Sequence, residues 1–231
     1  MPRTKRLIPT DLPIHIMSRG NNKQIIFKND SDKLCYYSLL LNLKNENMVD
    51  IMHYCIMNNH IHLLVVPNSQ SRLARFMKQV NLSYYNYFKT RNEYSGHLWQ
   101  GRFKSNIIDT DSYLLQCGKY IELNPVRAGI VKLPQDYKFS SYEYYASGSN
   151  DKLITNSPAY LALSEYPNER KEKYAKLLLN KEQINTQCLK QEFIGSGNFI
   201  RKLQKIYNTE NNPLKRGRPF KNHNKSGDVS I

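Results

Sequence analysis

Two histidines separated by one residue, His60 and His62, have a spacing that could do chemistry. They lie in a short apolar run that predicts a β-strand, and side chains two positions apart on a strand leave the same face. Two imidazoles held in this way can bind one divalent cation and leave positions for water or a substrate oxygen. The same pair is also compatible with two polar side chains on the wet face of a strand. A structural zinc site that includes Cys55 is a third interpretation, although no second cysteine lies nearby.

A tyrosine and an asparagine form a second candidate pair. Tyr120 and Asn124 are four residues apart in a segment predicted to be helical, so they share one side of the helix. If both face the centre formed by His60 and His62, a phenol nucleophile and an amide oxygen would lie beside a bound cation. The alternative is that Tyr120 packs on the sheet and that Asn124 simply ends the helix before Pro125.

Three ordered segments resemble the single-tyrosine transposases whose signature is His-hydrophobic-His (HUH), and most closely their REP-associated branch. The segments are NNHIHLL at 58–64, WQGRFKS at 99–105 and YIELNPVRAG at 120–129. Asn124 fits the REP-associated branch, because other insertion-sequence relatives have Gln at this position. The resemblance runs in order from residue 9 to residue 145, and a weaker match covers 195–221.

This resemblance implies a ferredoxin-like catalytic domain that acts on single-stranded DNA beside a hairpin. It implies that Tyr120 is the nucleophile, which forms a 5′-phosphotyrosine and frees a 3′-hydroxyl. It implies that His60, His62 and Asn124 bind Mg²⁺ or Mn²⁺, and it favours a monomer, with a homodimer as the alternative. The alternatives are a catalytically silent DNA-binding regulator on the same fold, an RNA-binding module, and a metallohydrolase that uses water instead of Tyr120.

The charge of the chain agrees with a nucleic-acid partner. It has 34 Lys and Arg against 19 Asp and Glu, a formal net charge of +15. This charge disfavours an enzyme for cationic substrates and favours a polyanionic partner. Basic residues alternate with Phe103 on a predicted strand, follow the tyrosine helix, and form an AT-hook-like KRGRP motif in the tail. The candidates for DNA contact are Arg102, Lys104, Arg127, Lys215, Arg216 and Arg218.

The elements that must position these residues alternate between strands and helices. The sequence predicts strands at 12–19, 50–57, 60–66 and 102–108, and helices at 30–46, 71–92 and 110–124. Asn58 and Asn59 tolerate the left-handed conformation of a tight turn and predict a hairpin between the second and third strands. The order predicts an α+β fold in which helices pack on one face of an antiparallel sheet.

The chain divides into three predicted regions. They are a catalytic domain at 1–145, a helical extension at 146–210 with helices at 168–191 and 198–207, and a basic, flexible tail at 211–231. No stretch approaches the roughly 18 apolar residues of a membrane span, and no apolar signal-peptide core follows the basic start. The four cysteines are scattered. We therefore expect a cytoplasmic, nucleoid-associated protein without a membrane partner.

Overall fold

The computed structural model describes residues 7–109, 112–179 and 192–207. Within these ranges, five strands form one sheet in the order β2-β3-β1-β4-β5. The strands are β1 (Ile14–Arg19), β2 (Val49–Ile56), β3 (His60–Pro67), β4 (Lys104–Ile108) and β5 (Phe193–Ile194). The helices are α1 (Asp30–Glu46), α2 (Gln70–Asn92), α3 (Ser112–Glu122), α4 (Asn124–Arg127), α5 (Tyr142–Ser147), α6 (Pro158–Leu161), α7 (Pro167–Leu179) and α8 (Gly197–Ile206). The predicted α+β class is confirmed.

Helices cover both faces of the sheet, whereas the sequence predicted one covered face. Asn81 on α2 donates a hydrogen bond to the Ser18 hydroxyl at 3.2 Å. The ring of Tyr120 on α3 instead meets the ring of His15. Ser18 and His15 leave opposite faces of β1 because side chains alternate along a strand. The helices α1 and α2 therefore cover one face of the sheet, and α3 covers the other.

The predicted bounds of the early elements agree closely with the structure. The helix predicted at 30–46 is α1, and it begins with a capping box in which Asn29 and Asp32 accept each other's backbone N–H groups. The tyrosine helix differs, because α3 ends at Glu122 and Asn124 begins the separate turn α4. Pro125 lies at the start of this turn, where its missing N–H costs nothing.

The predicted hairpin between β2 and β3 is present, but the predicted reason for it is wrong. Neither Asn58 nor Asn59 has a positive φ. Their carbonyl oxygens instead accept hydrogen bonds from a neighbouring segment: Ile26 and Phe27 donate to Asn58 at 3.0 and 2.9 Å, and Gly20 donates to Asn59 at 2.9 Å. The turn is therefore fixed by tertiary contacts rather than by left-handed residues.

The C-terminal region packs on the same buried core as the sheet. Tyr145, Tyr160 and Tyr174 contact one another there, and the Tyr145 hydroxyl donates to the Met52 carbonyl on β2 at 2.6 Å. The strand β5, which was not predicted, pairs in parallel with β4. Of the helix predicted at 168–191, residues 167–179 are helical and the rest lies outside the described residues, as does the tail. In the described part of the chain, no helix combines the length and apolar character needed to cross a membrane.

Candidate active site

The imidazoles of His60 and His62 lie side by side on β3. Their ring centroids are 4.9 Å apart with the planes nearly perpendicular. His62 is 2 % exposed, since it lies between β2 and β1 and is covered by α3. His60 begins the strand and is half-buried, so it lies at the opening of the site.

The ring of Tyr120 lies beside this pair. Its centroid is 5.7 Å from that of His62 and 5.9 Å from that of His15, and it meets both rings edge-on. Tyr120 itself is half-buried. The structure thus brings together the strand and the helix that the sequence placed some sixty positions apart.

The position of α3 is set by a close contact with β2. Gly118 packs directly on the imidazole of His53, and a Cβ atom at this glycine would lie 2.6 Å from Cε1 of that ring. One turn further, Glu122 is completely buried and its Oε1 lies 2.9 Å from Nδ1 of His53. These two contacts fix the rotation of the helix, and Tyr120 therefore faces His62.

Asn124 caps the same helix. Its Nδ2 donates to the carbonyl oxygen of Tyr120 at 2.8 Å and to that of Ile121 at 3.2 Å. This bonding satisfies two carbonyl groups that the end of a helix leaves unpaired. It also leaves Oδ1 as the amide atom that could bind a cation.

Burial keeps the imidazoles of both candidate ligands His60 and His62 neutral. It lowers the pKa of His60 to about 4, with a further contribution from the positive charge of Arg19. It lowers the pKa of His62 well below its usual value, and His15, His60, Arg19 and Arg127 add to the effect. At neutral pH each ring therefore keeps a lone pair, the form in which histidine binds metals.

Hydrogen bonds leave the outer nitrogens of these rings available. The Asn59 amide is oriented because its Nδ2 donates to the Lys23 carbonyl at 3.2 Å, and its Oδ1 then accepts from Nδ1 of His60 at 2.5 Å. Nδ1 of His62 bonds to Nε2 of His15 at 2.8 Å. Among the described residues, neither Nε2 atom of His60 or His62 has a hydrogen-bond partner.

Positive charge surrounds the site. Arg127 lies with its guanidinium carbon 4.6 Å from the centre of the Tyr120 ring. Arg19 pairs with His60 across β1 and β3, and its Nε is buried without a hydrogen bond in the described part of the chain. Lys104 is exposed and lies in the same cross-strand row as Met17 and His62. Such a surface suits an anionic ligand.

The other predicted DNA contacts lie before β4 and in the tail of the sequence. Arg102 is exposed in the bend before β4, next to the buried Phe103. Lys215, Arg216 and Arg218 lie outside the described residues. The role of all these residues in DNA binding stays a prediction.

Sequence reasoning missed two residues of the site. Neither His15 nor Arg19 is among the candidate residues that the sequence analysis names. A signal for His15 was present, because it is the polar residue between Ile14 and Ile16 in an otherwise apolar strand. Nothing local identifies its partner, since His62 is 47 residues away.

The structure also places Cys55, from the zinc interpretation, and Trp99, from the WQGRFKS segment. Cys55 pairs with His62 across β2 and β3, but the described residues hold no group of three or more His, Cys, Asp or Glu side chains suited to a metal. Trp99 donates from Nε1 to the Asn81 carbonyl at 3.0 Å and packs near Tyr36 and Tyr84. It therefore anchors its loop.

A comparison with family models decides the family of the chain. The model described as "Transposase IS200 like" matches residues 9–124, about half of the sequence and the whole span from β1 to the start of α4. The chain belongs to this family. The IS200-like match includes His60, His62, Tyr120 and Asn124.

Individual relatives of this IS200-like chain agree with the assignment. Over 98 residues it is 32% identical to a Haemophilus influenzae protein named a REP-associated tyrosine transposase, covering 38% of this chain and 56% of that protein. The chain thus spans about half the length of this curated relative. A solved structure of a REP-associated tyrosine transposase bound to a REP hairpin covers 68% of this chain and 93% of its own, with 18% identity and a TM-score of 0.51. At that identity, the likeness shows the fold.

Proposed function

We propose that this IS200-like protein is a metal-dependent endonuclease and strand transferase for single-stranded DNA. It cuts beside a DNA hairpin and forms a 5′-phosphotyrosine through Tyr120. The observation that carries the proposal is the edge-on contact between the Tyr120 ring and the buried His62 ring, at 5.7 Å. A packing tyrosine would have no need of two neutral imidazoles with free Nε2 atoms beside it.

The residues present fit a divalent cation. His60 and His62 offer neutral nitrogen donors, and Asn124 offers an amide oxygen, so these three residues would hold Mg²⁺ or Mn²⁺. The donor set carries no negative charge, and the charge of the cation is therefore left to act on the DNA. When bound, such a cation withdraws electron density from a non-bridging phosphate oxygen and orients the phosphate.

The covalent step needs no other reactant. The Tyr120 oxygen forms a bond to phosphorus, the bond from phosphorus to the 3′ oxygen breaks, and the strand leaves with a free 3′-hydroxyl. The phenol loses its proton to solvent, and the departing 3′ oxygen gains one. Because the phosphotyrosine retains a reactive phosphodiester, a 3′-hydroxyl can later displace Tyr120 and reseal a strand without ATP.

The basic side chains serve DNA binding in this proposal. Arg19 and Arg127 would contact the phosphate beside Tyr120, and Lys104 would contact the DNA backbone further along the sheet. Arg102 and the tail residues Lys215, Arg216 and Arg218 add contacts outside the centre. Each phosphate contact releases counterions, so binding should weaken steeply with salt.

Hairpins of palindromic repeats are the proposed substrate. Support comes from the relative solved with a REP hairpin and from the net charge of this chain. We also propose that the protein works as a monomer, because one chain supplies the imidazoles, the tyrosine and the asparagine of the centre.

A tyrosine exchange tests the chemistry. Tyr120→Phe should abolish the covalent protein–DNA adduct formed with an end-labelled hairpin strand and Mn²⁺, while hairpin binding stays nearly unchanged. Tyr113→Phe on the same helix is the matched control and should form the adduct. His60→Ala should lose both cleavage and the response to Mn²⁺.

The other outcomes of this assay identify the competing functions. Cleavage by Tyr120→Phe without any adduct would indicate a water-using metallohydrolase. Tight hairpin binding by wild type without cleavage under any metal would indicate a silent regulator. Preference for a matched RNA hairpin would indicate an RNA-binding module.

A further inference from the structure

A second buried histidine directs the imidazole of His62. His15 is 3 % exposed and lies at the centre of β1. Its Nε2 is 2.8 Å from Nδ1 of His62, and the two rings stack with centroids 5.1 Å apart and planes inclined by 11°. The contact is therefore well aligned and lies where water does not compete for it.

One proton lies in this hydrogen bond, and its position decides what His62 can do. If Nδ1 of His62 carries the proton, Nε2 of His62 keeps its lone pair and can bind a cation. If Nε2 of His15 carries it, the neutral His62 ring must carry its own proton on Nε2 and cannot bind. When Nε2 of His15 accepts, the proton of the neutral His15 ring lies on its buried Nδ1, which has no hydrogen-bond partner within the described residues.

His15 is not a third ligand of the same cation. Its Nε2 is spent on His62, and the described residues contain no three-ligand His, Cys, Asp or Glu cluster suited to a metal. Asn59 makes the equivalent contact on the other ring, where its oxygen accepts from Nδ1 of His60. Nδ1 of each of the two histidines thus has one hydrogen-bond partner, which is Asn59 for His60 and His15 for His62.

We infer that His15 is a positioning residue that holds His62 in the Nδ1-protonated form, with Nε2 turned toward the cation and the DNA phosphate. This inference rests on the proposed function, because it gives His62 a ligand role. Outer-shell partners of metal-binding histidines commonly contribute ten- to a hundred-fold in metal affinity. His15 should do so although it touches neither the metal nor the DNA.

Two variants at this position separate positioning from simple packing. His15→Leu removes the acceptor, whereas His15→Gln places an amide group where Nε2 was. Ile16→Val is the matched control, because it trims the opposite face of the same strand and lowers stability without touching His62. All three are made in the full-length chain.

The first readout is Mn²⁺ binding, followed by the spin-resonance signal of free Mn²⁺ in the Tyr120→Phe background with a hairpin strand, and corrected for Mn²⁺ bound by the strand alone. We expect His15→Leu to raise the half-saturating Mn²⁺ concentration ten- to a hundred-fold. His15→Gln should stay within about threefold of its parent, and Ile16→Val should not shift it, with the ten-fold scale set by known outer-shell effects.

The second readout is the tautomer of His62 in the metal-free protein, from nitrogen chemical shifts of ¹⁵N-histidine. Wild type and His15→Gln should have the proton on Nδ1, and His15→Leu a mixture. Equal Mn²⁺ binding and an unchanged tautomer in His15→Leu would overturn the role of His15 and leave the metal proposal intact. Failure of wild type to bind Mn²⁺ more tightly than His60→Ala would overturn the proposed function instead.

Discussion

Two buried side-chain pairs, His53 with Glu122 and His15 with His62, lie on the same face of the sheet, and both involve or contact the helix α3. In the first pair, His53 bonds to Glu122, and both side chains are completely buried. Glu122 also accepts hydrogen bonds from the Ser141 hydroxyl at 2.6 Å and from the Tyr174 hydroxyl at 2.8 Å. Three donors thus converge on one carboxyl group.

The second pair, His15 and His62, has no acidic partner within the described residues. Its charged neighbours are Arg19 and Arg127, whose positive charges add to burial in lowering the pKa of His62. The acidic Glu122 lies beside His53, whereas the basic Arg19 and Arg127 lie near His62. The rings of His15 and His62 remain neutral, and Nε2 of His62 has no hydrogen bond within the described residues.

We propose that this difference separates a structural buried pair from one that is prepared for a ligand. Glu122 accepts three hydrogen bonds, and a carboxyl group satisfied in this way holds the fold together, although Nε2 of His53 has no partner within the described residues. In our proposal, the buried His62 ring beside the half-buried Tyr120 gains its remaining partner only when a ligand binds. The first pair therefore orients α3, and the second pair uses that orientation.

The largest expected effect is the loss of the carboxyl group in the first pair. Glu122→Ala leaves three buried donors without a partner, and it should lower the free energy of unfolding by about 3–5 kcal/mol. Urea unfolding measures this loss. Glu143→Ala is the control, because Glu143 is exposed on α5 and should change stability by less than about 0.5 kcal/mol. A loss below about 1 kcal/mol for Glu122→Ala would contradict the anchoring role.

The second pair should make the free energy of unfolding depend on pH. The pKa of His15 is about 4 in the folded protein against 6.5 in the unfolded chain, so the unfolded chain binds more protons between these values. The contribution of His15 is fully present above about pH 6.5 and is lost as the pH falls toward 4. Between pH 7 and pH 5 the metal-free wild type should lose about 2 kcal/mol more than His15→Gln. Equal losses in urea unfolding would show that His15 titrates normally.

A smaller loss of stability is expected at the contact between the C-terminal helix α7 and the tyrosine helix α3. Burial and the charge of Glu122 raise the pKa of Tyr174 well above its usual value, so its hydroxyl remains a donor. Tyr174→Phe removes one bond to Glu122 and should cost about 1.5 kcal/mol. Tyr166→Phe, at an exposed position, should cost nothing measurable in the same urea titration. If both exchanges were equal, α7 would not brace α3.

The smallest stability effect is expected at Arg127. Arg127→Ala alters an exposed side chain, so the free energy of unfolding should change by less than about 0.5 kcal/mol. Its guanidinium nevertheless lies over Tyr120, and adduct formation should slow at least ten-fold. Lys132→Ala, an exposed change nearby, should leave the rate unchanged. A normal rate in Arg127→Ala would remove this residue from the site.

The part of the fold that the sequence predicted is the part written in local patterns. The helix α1 shows its capping residues and apolar spacing, and β3 shows its two histidines at the spacing of one strand face. The alternation of strands and helices gave the α+β class. These features depend on neighbours in the chain, so a single sequence can reveal them.

The missed parts depend on contacts between distant segments. No local pattern pairs His53 with Glu122, 69 residues later, although that pair sets the rotation of α3. The strand β5 has two residues, too few for any alternation. The hairpin turn is held by donors from residues 20–27. Each of these features follows from packing.

Identification of the amino acid that carries DNA tests the central claim most directly. Wild-type protein would be trapped on a labelled hairpin strand with Mn²⁺, digested with nuclease and trypsin, and sequenced by mass spectrometry. Lys119 lies between Tyr113 and Tyr120, so trypsin separates the two tyrosines of α3 into different peptides. We predict a nucleotide on the peptide that spans residues 120–127. A nucleotide on any other peptide, or cleaved DNA with no modified peptide, would contradict the account.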